Sequence, residues 1–237
     1  VIVGGVGWLG RKVASAIVGD RRLSLVGLVD PRRAGRTAHG LSIAATLERA
    51  PVSSADVLVQ TTVSNVEEAT PQIRAALAAG LAVVSSCEEL HGAALPPGLA
   101  AKEAIDRAAR SAGRAVIAAG VNPGFVLDAL VLQLARAVRA PRAVRVERVV
   151  DLGRRRASLR QKMGVGLVAA AFEERPLGHV GLGLSARIVF AGLFGEPPEA
   201  VPVRRVPIVS RGRMMMYISH ANRNTSGVKK MIRAEAK

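Results

Sequence analysis

The chain has 237 residues, 49% of them hydrophobic but only 3% aromatic, enough for one large or two modest domains cored by Val, Leu, Ile and Ala. Its formal charge of +16 comes mostly from Arg scattered among Ala, Gly and Val; without a basic arm, zinc-finger spacing or an aromatic-basic motif, no nucleic-acid partner is expected, while anionic small molecules are favoured. No apolar run is long enough for a membrane span, no signal-peptide pattern precedes the first strand and Cys87 stands alone, so neither a membrane partner nor a disulfide framework is expected, and cytoplasm is the expected compartment.

The chain begins with the β-branched run Val1 to Val3, which reads as the middle of a strand, so a few residues completing that edge are expected to be missing. Gly5, Gly7 and Gly10 follow in the pattern G-x-G-x-x-G, and Arg11 to Val18 reads as a helix. The first glycine permits a tight turn, the second lets backbone approach a pyrophosphate, and the third lets helix and strand pack closely. The new helix turns N–H groups and the positive end of its dipole toward an anion. A strand over Leu23 to Val29 ends in Asp30, 20 residues beyond Gly10, where a dinucleotide fold places the carboxylate that accepts from ribose hydroxyls. Trp8 and Leu9 belong to the same loop. Arg32 and Arg33 follow, and a guanidinium attracts the 2′-phosphate that a carboxylate repels, so NAD and NADP both stay open; both arginines also read as solvated loop residues.

A helix is expected near Ile43 to Arg49, then a buried strand from Ala55 to Gln60 and the polar turn Thr61 to Asn65 with Thr62 in it. A helix over Val66 to Ala79, a strand over Leu81 to Ser85, a helix over Ala100 to Ala112 and a strand over Ala115 to Ala118 follow. This alternation specifies an α/β fold: a Rossmann doubly wound parallel sheet whose ligands lie beyond the carboxyl ends of the strands. That rim takes in Thr61 to Asn65, Ser86 to Glu89 and Gly120 to Phe125. Asn122-Pro123-Gly124 sets a rigid turn before a helix from Val126 to Val138. Past Pro141 the strand Ala143 to Val150 alternates, as a half-exposed, antiparallel strand would. Domains are therefore expected at 1–140, dinucleotide-binding, and 141–210, a smaller, incomplete α+β substrate domain. That domain holds a helix over Leu184 to Leu193 and a strand over Val201 to Val209. Residues 211–237 read as an irregular or disordered tail.

The stretches GVGWLG, VVSSCEEL (Val83 to Leu90), GVNPGFVLD (Gly120 to Asp128), RVERVVD (Arg145 to Asp151), LRQKMGVGL (Leu159 to Leu167) and GHVGL (Gly178 to Leu182) occur in this order. Together they resemble the 2,4-diaminopentanoate dehydrogenases, relatives of dihydrodipicolinate reductase, over roughly Val1 to Gly195. The resemblance implies an NAD(P)-dependent amine dehydrogenase acting on the C–N bond of a small diamino acid, with a Rossmann domain and a mixed α/β substrate domain. Two departures stand out. Residues after about Val209 depart from the family's pattern, which implies a truncated or altered C-terminus, and Asp151-Leu152-Gly153 lacks a polar side chain usual in that turn.

Oxidative deamination needs a neutral amine, a hydride acceptor and water, so a base and groups for the substrate's charged ends are required. Glu88 and Glu89 on the rim suit the base, although either also suits a helix start. His179, between glycines, is a further acid–base candidate. The expected cofactor contacts are Gly5, Gly7, Trp8, Leu9, Gly10, Asp30, Arg32, Thr61, Thr62, Cys87, Asn122 and Pro123. Asn122, Gly124, Arg155, Arg160 and Lys162 are the expected substrate contacts, the cations because they pair with carboxylates. No metal-ligand spacing is present. The expected partner is a small amino-acid substrate, and a homo-oligomer is expected. Two other readings stay open: a dihydrodipicolinate-reductase-like imine reductase, whose His-His and Lys motif is absent here, and a non-catalytic NAD(P)-binding protein.

Overall fold

The structure, a computed structural model, describes residues 1–91, 99–139, 141, 144–149, 157–168, 170–171, 174, 181–195, 203–210, 213–225 and 228–235. It divides into two compact units, Val1–Gly120 and Val121–Lys237. The sequence places the change near residue 140; the structure places it earlier, because the residues after Gly120 pack within the second unit. Leu127 shares a core with Leu182, and Leu132 lies against Gly192.

The first unit runs β1 (Ile2–Gly4), α1 (Trp8–Gly19), β2 (Gly27–Val29), β3 (Thr37–Ala38), β4 (Leu41–Ala44), β5 (Val57–Gln60), α2 (Val66–Ala78), β6 (Ala82–Ser85), α3 (Ala100–Ala112) and β7 (Val116–Ala118). The sheet order is β3-β4-β2-β1-β5-β6-β7, parallel throughout except for β3 against β4. In β1 the period of two sends successive side chains to opposite faces. Ile2 joins Leu58, Ile73, Leu77 and Ile105 in one core, against α2 and α3. Val3 joins Ala14, Ile17 and Leu28 in the other, against α1. This is the doubly wound α/β sheet that the alternation of elements specifies.

One expected element is different. Ile43 to Arg49 is no helix: Ile43 lies in β4, and only Leu47–Arg49 forms a single 3-10 turn. His39 and Gly40 take φ of 52° and 76°, the positive pair that a two-residue type I′ hairpin requires. The hairpin pairs Thr37 with Ser42 and delivers β4 to the edge of β2, where Leu28 faces Ile43 in register. A β-branched residue at that position then serves a strand better than a helix.

The second unit contains α4 (Ala129–Ala135), β8 (Val146–Val149), α5 (Ala157–Lys162), α6 (Gly181–Phe194), β9 (Val203–Ser210), β10 (Arg213–Thr225) and β11 (Val228–Glu235). Its sheet order is β8-β11-β10-β9. Two expectations are corrected here. The alternating strand β8 pairs parallel, with β11, rather than antiparallel. More than a dozen residues separate the two strands, and such a connection allows the parallel pairing that a short hairpin forbids. The segment from Arg213, expected to be irregular, forms β10 and β11, antiparallel to each other. A register shift between Met214 and Met216 breaks the two-residue period there, which hides the strand from a reading by alternation.

Candidate functional site

The glycine loop connects β1 to α1. Gly5 takes φ of 87°, a left-handed torsion, and a Cβ there would lie 3.0 Å from the Thr61 backbone. A Cβ on Gly10 would stand 1.7 Å from the Gly5 carbonyl oxygen, so the first turn of α1 packs on the loop at glycine distance. At Gly7 a Cβ would meet nothing within 4 Å. The backbone at Gly7 is therefore open on its outer side, as a loop that takes an anion against its main chain requires. Gly7 is the N-cap of α1 with no side-chain cap, and no acidic residue occupies the first turn. Trp8 is exposed at the first helical position and Leu9 is half-buried.

Two neighbours hold the loop. The Asp30 side chain, at the carboxyl end of β2, accepts from Val6 N–H through Oδ2 at 2.9 Å and from Arg32 N–H through Oδ1 at 2.9 Å. The Thr61 hydroxyl, just past β5, lies 3.0 Å from the Gly4 carbonyl and 2.8 Å from that of Gly5. Around them opens a cleft of about 990 Å³, lined by Gly4, Gly5 and Gly7, by Asp30 and the arginines that follow it, by Thr46 and Glu48, and by Gln60, Thr61 and Thr62. It lies beyond the carboxyl ends of β1, β2 and β5, where an open parallel sheet presents its ligand.

A polar chain that sequence reasoning missed runs from the buried end of β6 out to the exposed Thr62. Ser85 donates to Gln60 Oε1 and accepts from Cys87 N–H at 3.1 Å. The Gln60 amide donates to Thr62 Oγ1 at 2.8 Å, and Thr62 donates to Gln72 Oε1 at 2.6 Å. Polar residues inside otherwise apolar strands were the available signal. At the end of β6, Cys87 is buried and its thiol donates to the Ser64 carbonyl at 3.2 Å. Burial pushes this thiol above its usual pKa, only partly offset by the backbone N–H of Glu89. It stays protonated, in a packing role. Glu89 accepts from Val66 N–H at 2.9 Å, so its carboxylate caps the start of α2 beside Asn65, whose side chain accepts from Glu68 N–H at 3.1 Å. Glu88 is half-buried next to it.

In the second unit, Asn122, Pro123 and Gly124 form a turn braced by a carboxylate. Asp128 accepts from Gly124 N–H at 2.9 Å, from Ala129 N–H and from the Ser185 hydroxyl at 2.7 Å. Ser185, on α6, also lies 3.1 Å from Asn122 Oδ1. Both Asp128 and Ser185 are fully buried. A Cβ on Gly181 would come within 2.6 Å of the Pro123 ring, so the turn sits directly on the start of α6. Asp128 falls inside the helix expected from Val126, but it is the N-cap of α4, which starts at Ala129. Arg160 is exposed on α5, which also contains Lys162. Arg155, His179 and the Lys162 side chain lie outside the described residues. Among the described residues no group of His, Cys, Asp and Glu could hold a metal, and no helix is long and apolar enough to cross a membrane.

Comparison with known proteins follows the same lines. Residues 125–237 match the family described as the 2,4-diaminopentanoate dehydrogenase C-terminal domain. A 2,4-diaminopentanoate dehydrogenase from Acetoanaerobium sticklandii is 26% identical over 228 residues, which is 89% of this chain but 64% of that protein. Among solved structures, an amine dehydrogenase from Mycobacterium smegmatis superimposes with a TM-score of 0.78 at 17% identity, covering 100% of this chain and 78% of that one. A biliverdin reductase from Synechocystis, solved with biliverdin and NADP+, gives a TM-score of 0.55 at 18% identity, with 99% and 71% covered. These identities carry the fold. The family match covers just under half of the chain, and the chain spans under two thirds of the relative's length, so both are likenesses: residues 125–237 are similar to the 2,4-diaminopentanoate dehydrogenase C-terminal domain, and most of the chain is similar to that relative.

Proposed function

We propose that this protein is an NAD(P)-dependent oxidoreductase acting on the C–N bond of a small diamino acid; the protein it resembles is named a 2,4-diaminopentanoate dehydrogenase. The observation that carries the reading is the glycine loop: Gly10 is fixed by packing, whereas Gly7 opens on free space beside an uncapped helix N-terminus. A purely structural turn does not need that opening, and a pyrophosphate does. The nicotinamide, when bound, supplies the hydride-accepting carbon. The chain's own residues would do the rest. Backbone at Gly5 and Gly7 would bind the phosphates, with Thr61 holding the loop in shape. Glu88 is assigned the proton-accepting role at its side-chain carboxylate. Glu89, whose Oε2 accepts from Val66 N–H at the start of α2, is the second candidate for that role. Asn122 and Gly124, in the turn that Asp128 braces, are assigned to substrate contact.

Calorimetric titration with NADH and NADPH, followed by turnover of 2,4-diaminopentanoate, tests the reading in two stages. Binding with turnover supports it in full. Binding without turnover of any diamino acid would leave a dinucleotide-binding protein, and binding of neither dinucleotide would remove the central claim. Within an active enzyme, Glu88→Gln is expected to lower kcat about 100-fold with cofactor Kd unchanged, the effect of losing a general base.

A further inference from the structure

Resting on the dinucleotide reading above, we infer that the arginine-bearing loop after β2 is a 2′-phosphate site and that this protein selects NADPH over NADH. Three arginines, Arg32, Arg33 and Arg36, line the same cleft as Gly5 and Gly7. Arg32 and Arg36 are exposed and Arg33 is half-buried, so their charged ends are available to a ligand in the cleft. The loop that carries them is pinned by its own backbone. Arg33 N–H donates to the Asp30 carbonyl at 3.1 Å, Arg36 N–H to that of Arg33 at 3.1 Å, and Gly35 N–H to that of Ile43 at 2.9 Å. Ile43 N–H closes the set on the Arg36 carbonyl at 2.8 Å. The β3–β4 hairpin thus presents the three cations from a fixed frame, which lowers the ordering cost of binding.

The acidic groups nearby do not cancel them. Asp30 would oppose a 2′-phosphate if it faced the ribose, but each of its oxygens already accepts a backbone N–H and the residue is 9% exposed. Arg33 Nε stands 3.8 Å from Asp30 Oδ2, which offsets its charge further. Glu48 also lines the cleft. Exposed there, with hydrogen bonds from Thr46 and its own backbone holding its carboxyl below the usual range, Glu48 is ionised and opposes part of the arginines' charge. Three arginines therefore line a cleft with two carboxylates, of which Asp30 is engaged with backbone N–H groups and Arg33, and the balance of charge there is positive. A phosphate dianion pairs with guanidinium bidentately, whereas the ribose hydroxyl of NADH offers those arginines no charge to pair.

Calorimetry at matched ionic strength tests this through binding alone, with NADPH, NADH and the fragments adenosine 2′,5′-bisphosphate and adenosine 5′-monophosphate as probes. NADPH is expected to bind at least about tenfold more tightly than NADH, with the same order for the two fragments. In the double variant Arg32→Ala/Arg33→Ala the advantage is expected to collapse to about twofold, while NADH affinity changes little. Arg36→Ala removes a smaller part, and the melting temperatures of these surface variants report that the fold is intact. Equal affinity for the two dinucleotides, or equal weakening of both by the double variant, overturns the 2′-phosphate site and leaves the dinucleotide reading standing. Binding of neither dinucleotide overturns both.

Discussion

Asp30 in the first unit and Asp128 in the second are both nearly buried carboxylates, and each braces a glycine-containing turn by accepting backbone N–H groups. They differ in what else fixes the turn. The loop at Asp30 leaves β1 between two parallel neighbours, and Gly5 N–H donates to the Val29 carbonyl at 2.8 Å while Thr61 N–H donates to that of Gly4 at 2.8 Å. Sheet pairing would hold that loop in place without the carboxylate, which refines its shape. At Asp128 the turn opens α4 and, among the described residues, is not part of a paired strand. The carboxylate itself ties Gly124 to Ser185 on α6, which lies 57 residues beyond Asp128. The same interaction is thus a trim in one unit and a strut in the other.

The largest effect is expected at Gly10. In Gly10→Ala the new methyl would have to displace the Gly5 carbonyl, a backbone atom at 1.7 Å, so the loss should exceed about 4 kcal/mol in urea unfolding or prevent folding altogether. A variant of near-normal stability would mean that α1 is not seated on the loop, and that Asp30 carries more of the load than the sheet. The carboxylates can then be set against each other. Asp128→Ala leaves two part-buried N–H groups and a buried hydroxyl without their acceptor, for an expected loss of about 3 kcal/mol. Asp30→Ala should cost about 1 to 2 kcal/mol and weaken both dinucleotides alike, since Val6 and Arg32 lose their acceptor while the strands remain paired. Equal losses for the two would erase the contrast.

The two turns also differ in how far the sequence revealed them. The glycine spacing and Asp30 were legible because a strand, a tight turn and a helix impose fixed residue types at fixed offsets, and the structure has β1, the loop and α1 where that grammar puts them. The alternation of apolar runs likewise located β5, α2, β6 and α3 to within a residue or two. What stayed hidden depends on partners distant in sequence. Ser185 meets Asp128 only through packing of α6, and Gln60 meets Ser85 only because β5 and β6 are neighbours. The hairpin His39-Gly40 was missed for a local reason, because a His in the left-handed region stands where Asn or Asp is the usual signal. Of the candidate site, the cradle was legible as geometry; the assignment of Glu88, and of the substrate contacts, followed from resemblance.

Gly7→Ala separates binding from folding inside the Asp30-braced loop. Gly7 has φ of −75°, which alanine adopts readily, and its Cβ would meet nothing, so stability should fall by no more than about 1 kcal/mol, the cost of a poorer N-cap. Affinity for both dinucleotides is expected to fall at least about tenfold, because the methyl occupies the space a phosphate needs. Unchanged affinity would place the ligand elsewhere in the cleft.

The smallest effect concerns Cys87, whose role reverses that of the two aspartates: it donates, to the Ser64 carbonyl, where they accept. Its thiol pKa is raised in the folded chain, chiefly by burial. The unfolded thiol therefore loses its proton first, at about pH 8.5, and above that pH the unfolded state gains free energy that the folded state does not. The stability tied to the protonated thiol is complete below that pH and is lost as pH rises toward the folded pKa. Urea midpoints taken at pH 7 and pH 9.5 should fall further for the native chain than for Cys87→Ala, by less than about 1 kcal/mol of difference. Folded protein at pH 8 should also react far more slowly with a disulfide reagent than urea-unfolded protein, since a buried, protonated thiol is a poor nucleophile. Rapid reaction in the folded state would show that the turn after β6 opens readily and that the hydrogen bond to Ser64 does little to keep it closed.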